Sequence, residues 1–385
     1  MKVAVTTLAF CAAALLALGL VMLYSSSWAL LNRSTQVETG ARDLIMQLIW
    51  CAVGLTFCVA ATALDYQLLR KLVWPIFIFA LFMLMAVFVP HLGRASHGAH
   101  RWIGLGPFTF QPSELSKITL IIMLAWYGDH YQRQMHTFKR GIIFPTAMVG
   151  VILGLIFIEP DRGTTILLCA VTGAMLLIAG VQWKHVLIPV VVGAAGLAFS
   201  ILHDPMRMGR IMAWRHPEEH LNGAALQAQQ AMLGLGNGGW FGVGLGNGVR
   251  KFGYLPEIHT DFIFANIGEE LGLVATLFVV LAFVVMAICG LYIAMHARDT
   301  FGFLLASGIT FLISLQAAIN IGVVTSALPN KGLPLPFISY GGSNLLAMLT
   351  CIGILFSVAR QAHAREKVSE PVADHGDNPF AAKAT

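Results

Sequence analysis

Long apolar runs, separated by short polar connections, dominate the pattern of hydrophobic and polar positions along this chain. A transmembrane α-helix needs about 20 consecutive, mostly apolar residues. The pattern predicts about ten such spans. They lie near Val3–Leu31, Leu44–Ala63, Val73–Val89, Leu115–Tyr127, Ile142–Ile158, Thr164–Gly180, Val186–Leu202, Phe262–Met295, Phe301–Ala327 and Asn344–Ala359. Membrane β-strands would instead alternate in polarity, so we predict an all-α polytopic membrane protein.

The composition agrees with a chain that is mostly surrounded by lipid. Apolar residues make up 57% of it and charged residues 11%, whereas soluble domains carry about 25% charged residues. The net charge of +5 comes without a Lys/Arg-rich run, so no nucleic-acid partner is predicted. The six cysteines all lie in apolar stretches without a CxxC pair, which favours small buried hydrophobes over metal ligands or disulfides.

Basic residues in the short connections indicate the orientation of the chain. One set of loops holds Arg70, Lys71, Arg140 and Arg298, and the cytoplasmic side of membrane proteins is enriched in such residues. The first apolar run is long and lacks a clear small-x-small site, so we expect an uncleaved helix, not a signal peptide. An even number of spans then places both termini in the cytoplasm. We expect a ten-span domain over residues 1–365, a large outer loop over 203–261 and a disordered tail over 366–385.

The large outer loop contains a glycine-rich segment, Gly236–Gly248, followed by Arg250 and Lys251. Glycines let the backbone approach a ligand closely and form anion-binding nests, which fits phosphate binding. A flexible or tightly turning loop explains the same glycines, and the glycines alone favour that simpler interpretation. The segment is neither a P-loop nor a dinucleotide fingerprint, because no strand precedes it.

Asp261 stands where this loop enters the eighth span. It could cap the helix, as Thr260 could, or it could remove a proton from an attacking hydroxyl. Glu269 and Glu270 lie further inside the same span. Acids within a membrane are costly, so these two should face a polar interior or tie helices together.

Two other outer loops carry polar residues with more than one possible role. Trp102, beside Arg101, could simply belong to the interfacial aromatic belt. Glu114 and Lys117, three residues apart, could form a helix pair at the start of a span. Lys331 lies in a Pro/Gly-rich loop, where it could contact lipid headgroups or a bound phosphate.

Four separated blocks together carry a resemblance to a known family. They are Arg101–Lys117, Glu159–Thr164, Gln227–Gly272 and Leu328–Leu345, and they include the stretches Leu255–Phe262 and Pro334–Gly342. In order and spacing the chain resembles the SEDS proteins, the bacterial peptidoglycan polymerases that include FtsW, RodA and SpoVE. The resemblance covers all ten predicted spans. Asn330-Lys331-Gly332 looks most like the cell-division branch, FtsW.

The resemblance implies a glycosyltransferase that polymerises lipid II in the septum by inverting transfer from an undecaprenyl-pyrophosphate-linked donor. Asp261 would be the general base. The implied substrate-binding residues are Arg101, Trp102, Glu114, Lys117, Arg210, Lys251, Glu257, His259, Lys331 and Ser339. A divalent cation, Mg²⁺ or Mn²⁺, could assist, although the sequence shows no closed ligand cluster.

The resemblance also implies partners and a location. The partners would be lipid II and the nascent glycan, a class B penicillin-binding transpeptidase of the FtsI type, other divisome proteins and membrane lipids. The chain would sit in the bacterial cytoplasmic membrane at the division septum. Three alternatives remain open at this point: a lipid II flippase, a non-catalytic scaffold that recruits a transpeptidase, and a RodA-type role in elongation.

Overall fold

The structure, a computed structural model, describes residues 1–31, 37–89, 92–96, 99–105, 108–216, 224–249 and 260–369. Most of these residues are helical, as expected for apolar segments that must satisfy their backbone hydrogen bonds internally. In chain order the helices are α1 (Lys2–Leu31), α2 (Val37–Ala63), α3 (Gln67–Lys71), α4 (Val73–Ala86), α5 (Pro112–His130), α6 (Phe144–Ile158), α7 (Arg162–Ile178), α8 (Trp183–Leu202), α9 (Pro205–Arg215), α10 (Ala224–Asn237), α11 (Ile263–Met295), α12 (Thr300–Val324) and α13 (Gly342–Ser369).

Each of the ten predicted spans coincides with one of these helices. Among the described residues, seven helices are long and apolar enough to cross a membrane, and α4 and α7 are shorter apolar helices. The tenth, α5, carries charged residues and is buried along most of its length. At the other extreme, α8 is exposed along most of its length, as a lipid-facing helix would be. The predicted all-α polytopic fold is confirmed.

The domain boundaries stay predictions. Helix α13 continues to Ser369 and therefore includes the first residues of the segment that the sequence predicts as a tail. Residues 370–385 of that segment lie outside the described residues. Within the large outer loop, the described parts include α9 and α10, which the sequence did not predict.

A small antiparallel sheet lies between α4 and α5, where the sequence predicts only a loop. It consists of β1 (Gly93–Ser96), β2 (Ala99–Leu105) and β3 (Phe108–Phe110), with β2 in the centre. Side chains alternate between the two faces of a strand, so Arg101 and Ile103 share one face of β2. Ile103 packs against Ala86 and Val87 at the end of α4. The sheet thereby fixes the position of Arg101.

Helix α11 is broken at Gly272, and the glycine-rich segment fills the break. Gly272 has φ +79°, and a Cβ added there would lie 2.4 Å from Gly242 N. Four backbone hydrogen bonds join the loop to the broken ends: Val243 N to Glu269 O (3.0 Å), Gly244 N to Glu270 O (3.0 Å), Leu273 N to Gly239 O (2.9 Å) and Val274 N to Trp240 O (3.2 Å). They replace bonds that the break removes from the helix, because unpaired backbone groups are expensive inside a membrane.

Candidate active site

Asp261 lies at the N-terminal end of α11, one residue before the N-cap position, which Phe262 occupies. Its backbone is held by α12, since Asn320 Nδ2 donates to Asp261 O (2.8 Å) and to Leu333 O (2.7 Å). The same amide therefore ties Asp261 to the last outer loop, between α12 and α13. Asn320 is only 1% exposed, so this clamp belongs to the protein interior.

Ser339 forms a second clamp between the last outer loop and the start of α11. Its Oγ donates to Thr260 O and accepts from Leu335 N (2.8 Å). Ser339 is 5% exposed. It therefore supports the segment that carries Asp261, and its hydroxyl is already used by two backbone groups. This arrangement assigns a positioning role to a residue that the resemblance places among the substrate-binding groups.

The last outer loop passes beside Asp261 directly after a cationic residue, Lys331. A Cβ added to Gly332 would lie only 2.7 Å from Asp261 Oδ2, so the loop backbone passes directly beside the carboxylate. The preceding residue is Lys331, and no described residue forms a hydrogen bond or ion pair with its ammonium. Burial lowers the pKa of the Lys331 ammonium. A half-buried ammonium group without an ion-pair partner among the described residues favours a bound anion.

The turn between α6 and α7 packs against the other side of this loop. Asp161 caps α7 by accepting from Thr164 N (3.1 Å), and it also accepts from Gln111 Nε2 (3.2 Å). A Cβ added to Gly163 would lie 3.1 Å from Leu333 Cγ. Arg101 reaches the turn from β2, because its Nε donates to Glu159 O (3.1 Å) and its Nη2 to Pro160 O. The four blocks of the resemblance thus converge around Asp261.

Glu159, in this turn, carries a buried carboxyl group without a hydrogen-bond partner among the described residues. Glu159 as a whole is only 1% exposed. Burial, and secondly the charge of Asp161, raise the pKa of Glu159 to about 8, although Arg101 opposes the shift. The group is therefore protonated at neutral pH and does not form an ion pair with Arg101. The sequence placed Glu159 in a matching block but did not single it out.

Glu159→Gln should make the thermal stability of the protein less dependent on pH. The folded state retains a proton that the unfolded chain releases near its ordinary pKa of 4.5. Wild-type stability should therefore be highest below that pKa and fall by up to about 1.4 kcal/mol per unit as the pH rises towards 8. Melting temperatures in detergent between pH 5 and 9 would show a flatter profile for the variant. A slope equal to that of the wild type in Glu159→Gln would contradict the assignment.

Lys117 and Glu114 form a buried network that is closed to solvent. Lys117 Nζ contacts Glu114 Oε1 at 2.7 Å and Gln316 Oε1 at 3.0 Å, and Lys117 is 0% exposed. Asn344 Nδ2 donates to Glu114 Oε2 (2.9 Å), and Gln316 Nε2 donates to Pro334 O (2.9 Å). The network holds the last outer loop, so both charged residues position the site and do not line its surface.

The remaining predicted substrate-binding residues fall into two groups. Trp102 is half-buried on β2, and Arg210 is exposed on α9. Lys251, Glu257 and His259 lie outside the described residues. Among the side chains that the structure does describe, no group of three or more His, Cys, Asp or Glu residues could hold a metal ion. The role of a divalent cation stays a prediction.

The glycine-rich segment uses backbone N–H groups to bind the chain's own carboxylates. Gly246 N donates to Glu270 Oε2 (3.1 Å) and Val249 N to Glu269 Oε1 (3.0 Å). Ser25 Oγ of α1 also donates to Glu270 Oε2, at 2.6 Å. The phosphate-binding interpretation is therefore wrong for these donors, which already have intramolecular acceptors. The two acids serve the structural role predicted for them, because they tie the loop, α1 and α11 together.

These features define a class: a multi-pass membrane protein with a polar site where its outer loops meet the ends of its helices. The model of the FtsW/RodA/SpoVE family, described as cell cycle protein, matches residues 6–364. The chain therefore belongs to that family.

Several members of the family are similar to this chain over most of its length. The probable peptidoglycan glycosyltransferase FtsW of Trichlorobacter lovleyi is 39% identical over 346 residues, which cover 90% of each protein. Stage V sporulation protein E of Bacillus subtilis is 36% identical over 348 residues, covering 90% of this chain and 94% of that protein.

Solved structures agree with the fold. The crystal structure of RodA from Thermus thermophilus matches with a TM-score of 0.67 and 26% identity, covering 92% of this chain and 96% of that one. A chain of a peptidoglycan synthase complex matches with a TM-score of 0.75 and 24% identity, covering 92% and 97%. The second likeness supports the fold alone.

Proposed function

We propose that this protein is a peptidoglycan glycosyltransferase that polymerises lipid II, with Asp261 as its general base. The observation that carries the proposal is the packing of Gly332 against Asp261 Oδ2, which brings the Lys331 loop beside the carboxylate. A base and a neighbouring cation are the two groups that transfer from a pyrophosphate-linked sugar requires. The name of the relative from Trichlorobacter lovleyi, a probable peptidoglycan glycosyltransferase, supports the enzyme class.

The proposed reaction is a single inverting displacement. The hydroxyl oxygen of the acceptor sugar forms a bond to the anomeric carbon of the growing glycan, while the bond from that carbon to the pyrophosphate oxygen breaks. The hydroxyl proton passes to the Asp261 carboxylate, and undecaprenyl pyrophosphate leaves with both bonding electrons. Lys331 stabilises the negative charge that develops on this leaving group. Because the donor is an α-anomer and the product a β-linkage, one general base suffices and no covalent intermediate is needed.

The proposal is tested by incubating purified protein with lipid II in detergent, with and without its transpeptidase partner. We expect glycan polymer. A flippase needs a bilayer and makes no polymer, and a scaffold makes none in any condition. Complete absence of polymer, with and without the partner, would overturn the proposal. The flippase and the scaffold would then remain as the possible functions.

Lys331→Ala should slow polymerisation by tens-fold. A charge-assisted contact is worth about 1.5–3 kcal/mol, and the alanine variant leaves the pyrophosphate without it. Lys331→Arg keeps the charge but changes the geometry, so it should recover part of the rate. Initial rates and lipid II affinity measure both effects. Lys184→Ala, which removes an exposed lysine elsewhere, is the control, and wild-type values for Lys331→Ala would exclude this residue from the site.

The chain is proposed to act in the cytoplasmic membrane at the division septum, beside an FtsI-type transpeptidase. The FtsW name of the relatives supports this. Lipid II, the nascent glycan and other divisome proteins complete the proposed partners.

The proposed orientation puts both termini in the cytoplasm and the large loop outside. Single cysteines at Asn222 and Ala373, both outside the described residues, test it in a background without the six natural cysteines. An impermeant thiol reagent on intact cells should label position 222 and leave position 373 unmodified. The reverse pattern would overturn the orientation.

A further inference from the structure

An apolar groove separates α4 from α6. Its volume is about 370 Å³, and its lining includes Leu81 and Met85 of α4 and Gly150, Val151, Gly154 and Ile158 of α6. These residues belong to the later part of each helix, which lies towards the outer face in the proposed orientation. The groove is therefore at the depth where the chain of an outer-leaflet lipid runs.

Two glycines make the groove wide. A Cβ added to Gly150 or to Gly154 would meet no atom within 4 Å, so both positions face open space. Residues four apart share one face of a helix, and the missing side chains therefore widen one continuous channel. A methyl-branched isoprenoid chain is thicker than a straight acyl chain. The groove offers the extra width that such branches need.

The outer end of the groove lies beneath a cation. Ile158, at the end of the α6 wall, is followed by Glu159, whose carbonyl oxygen accepts from Arg101 Nε at 3.1 Å. The other wall ends where Val87 packs against Ile103. Because Arg101 and Ile103 share one face of β2, that strand bridges both walls at the mouth of the groove.

The mouth also retains unused polar groups. Arg101 donates through Nε and Nη2, and no described residue accepts from its Nη1. The Glu159 carboxyl is 1% exposed and has no hydrogen-bond partner in the described part of the chain. In its protonated form it is a hydrogen-bond donor. Both groups suit a phosphate oxygen, and neither suits an apolar chain end.

We propose that the groove holds the first isoprene units of the polyprenyl chain of the lipid-linked substrate, with its pyrophosphate at Arg101. The assignment rests on the proposed function, because it names the lipid subsite of that reaction. A pyrophosphate monoester carries more negative charge than the phosphodiester of a common phospholipid. The cation at the mouth and the width given by the glycines therefore both favour the polyprenyl substrate.

A binding experiment tests the groove without using catalysis. The photoreactive amino acid p-benzoylphenylalanine replaces Val151, which lines the groove, or Val192 on the lipid-facing surface of α8 as control; the two valines are 51% and 67% exposed. The full chain is placed in phosphatidylglycerol vesicles that contain undecaprenyl pyrophosphate as a minor component. After irradiation, mass spectrometry should find polyprenyl adducts at position 151 and phospholipid adducts at position 192. Phospholipid adducts alone at 151, or equal polyprenyl adducts at both positions, would overturn the proposal.

A kinetic experiment tests whether the groove serves the reaction. Gly154→Leu fills the channel, and Gly196→Leu makes the same change on α8, where a Cβ also meets nothing within 4 Å. A displaced chain returns to lipid and not to water, so Gly154→Leu should raise KM for long-chain lipid II by about three- to tenfold with kcat unchanged. Lipid II with a single isoprene unit should be unaffected, as should the Gly196→Leu variant.

Unchanged KM in Gly154→Leu, or an equal change for both chain lengths, would overturn the assignment. If the wild-type protein made no polymer at all, the proposed function would fail. The photochemical experiment would still decide whether a polyprenyl pyrophosphate occupies the groove, so the two failures can be told apart.

Discussion

Purified Asp261→Asn protein should be folded and should polymerise lipid II about a hundred- to ten-thousand-fold more slowly than wild type, which is the usual contribution of a general base. Asparagine preserves the size of the side chain and part of its hydrogen-bonding capacity, but it cannot accept the proton of the attacking hydroxyl. A purely structural role for Asp261 therefore predicts an active Asn variant. The measurement is glycan polymer formed per unit time, with melting temperature and transpeptidase binding as folding controls.

Asp261→Glu should recover little of this activity. The extra methylene moves the carboxylate by about an ångström, and errors of that size can cost a hundredfold. The structure adds a reason, because Gly332 already lies beside Oδ2 and leaves little room for a longer side chain. Asp65→Asn, an exposed aspartate before α3, is the matched control and should retain wild-type activity. An Asp261→Asn enzyme within a few-fold of wild type would end the proposal that Asp261 is the base.

Lys117→Met should destabilise the protein by about 3–5 kcal/mol, since it leaves the buried Glu114 carboxylate without its cationic partner. Because Gln316 contacts both Lys117 and Pro334 O, the last outer loop should lose its position and polymerisation should fall with it. Thermal unfolding in detergent measures the first effect and lipid II polymerisation the second.

The double variant Lys117→Met/Glu114→Gln separates a buried ion pair from a substrate contact. It removes both charges together, so it should regain most of the lost stability. Lys184→Met, at an exposed position, should change stability by less than about 0.5 kcal/mol. Wild-type stability in Lys117→Met would contradict the network, and so would a double variant that is no more stable than the single variant.

The helices could be predicted from sequence because the bilayer imposes length and apolarity on each of them. The contacts around Asp261 could not, since they join residues far apart in the chain. Asn320 is the clearest example. It contacts both Asp261 and Leu333, yet in the sequence it is only a polar residue within an apolar span. Its spacing of four from Gln316 was a usable signal, because polar groups within spans usually face a functional interior.

The sequence left phosphate binding and a tightly turning loop both open for the glycine-rich segment, for a physical reason. Its composition correctly indicated backbone N–H groups arranged for anions, but composition does not identify the anion. The carboxylates of Glu269 and Glu270 are close in sequence to the break at Gly272, and they occupy donors that a phosphate would otherwise use. The sheet at Arg101 was missed because three short strands carry too little alternation to stand out from a loop.

We infer an order of assembly from the break in α11. In the proposed orientation, the glycine-rich segment is synthesised before α11 and crosses the membrane without its binding site. The first part of α11, residues 263–271, then enters the membrane with unpaired backbone groups at the break and with two acidic side chains. Its insertion becomes energetically favourable only after residues 239–244 have docked and formed their hydrogen bonds. Any epitope or fluorescent protein inserted between Gly239 and Gly246 would prevent residues 239–244 from docking into the break in α11. The expected defect is degradation of the newly made chain, not slower polymerisation by an intact enzyme.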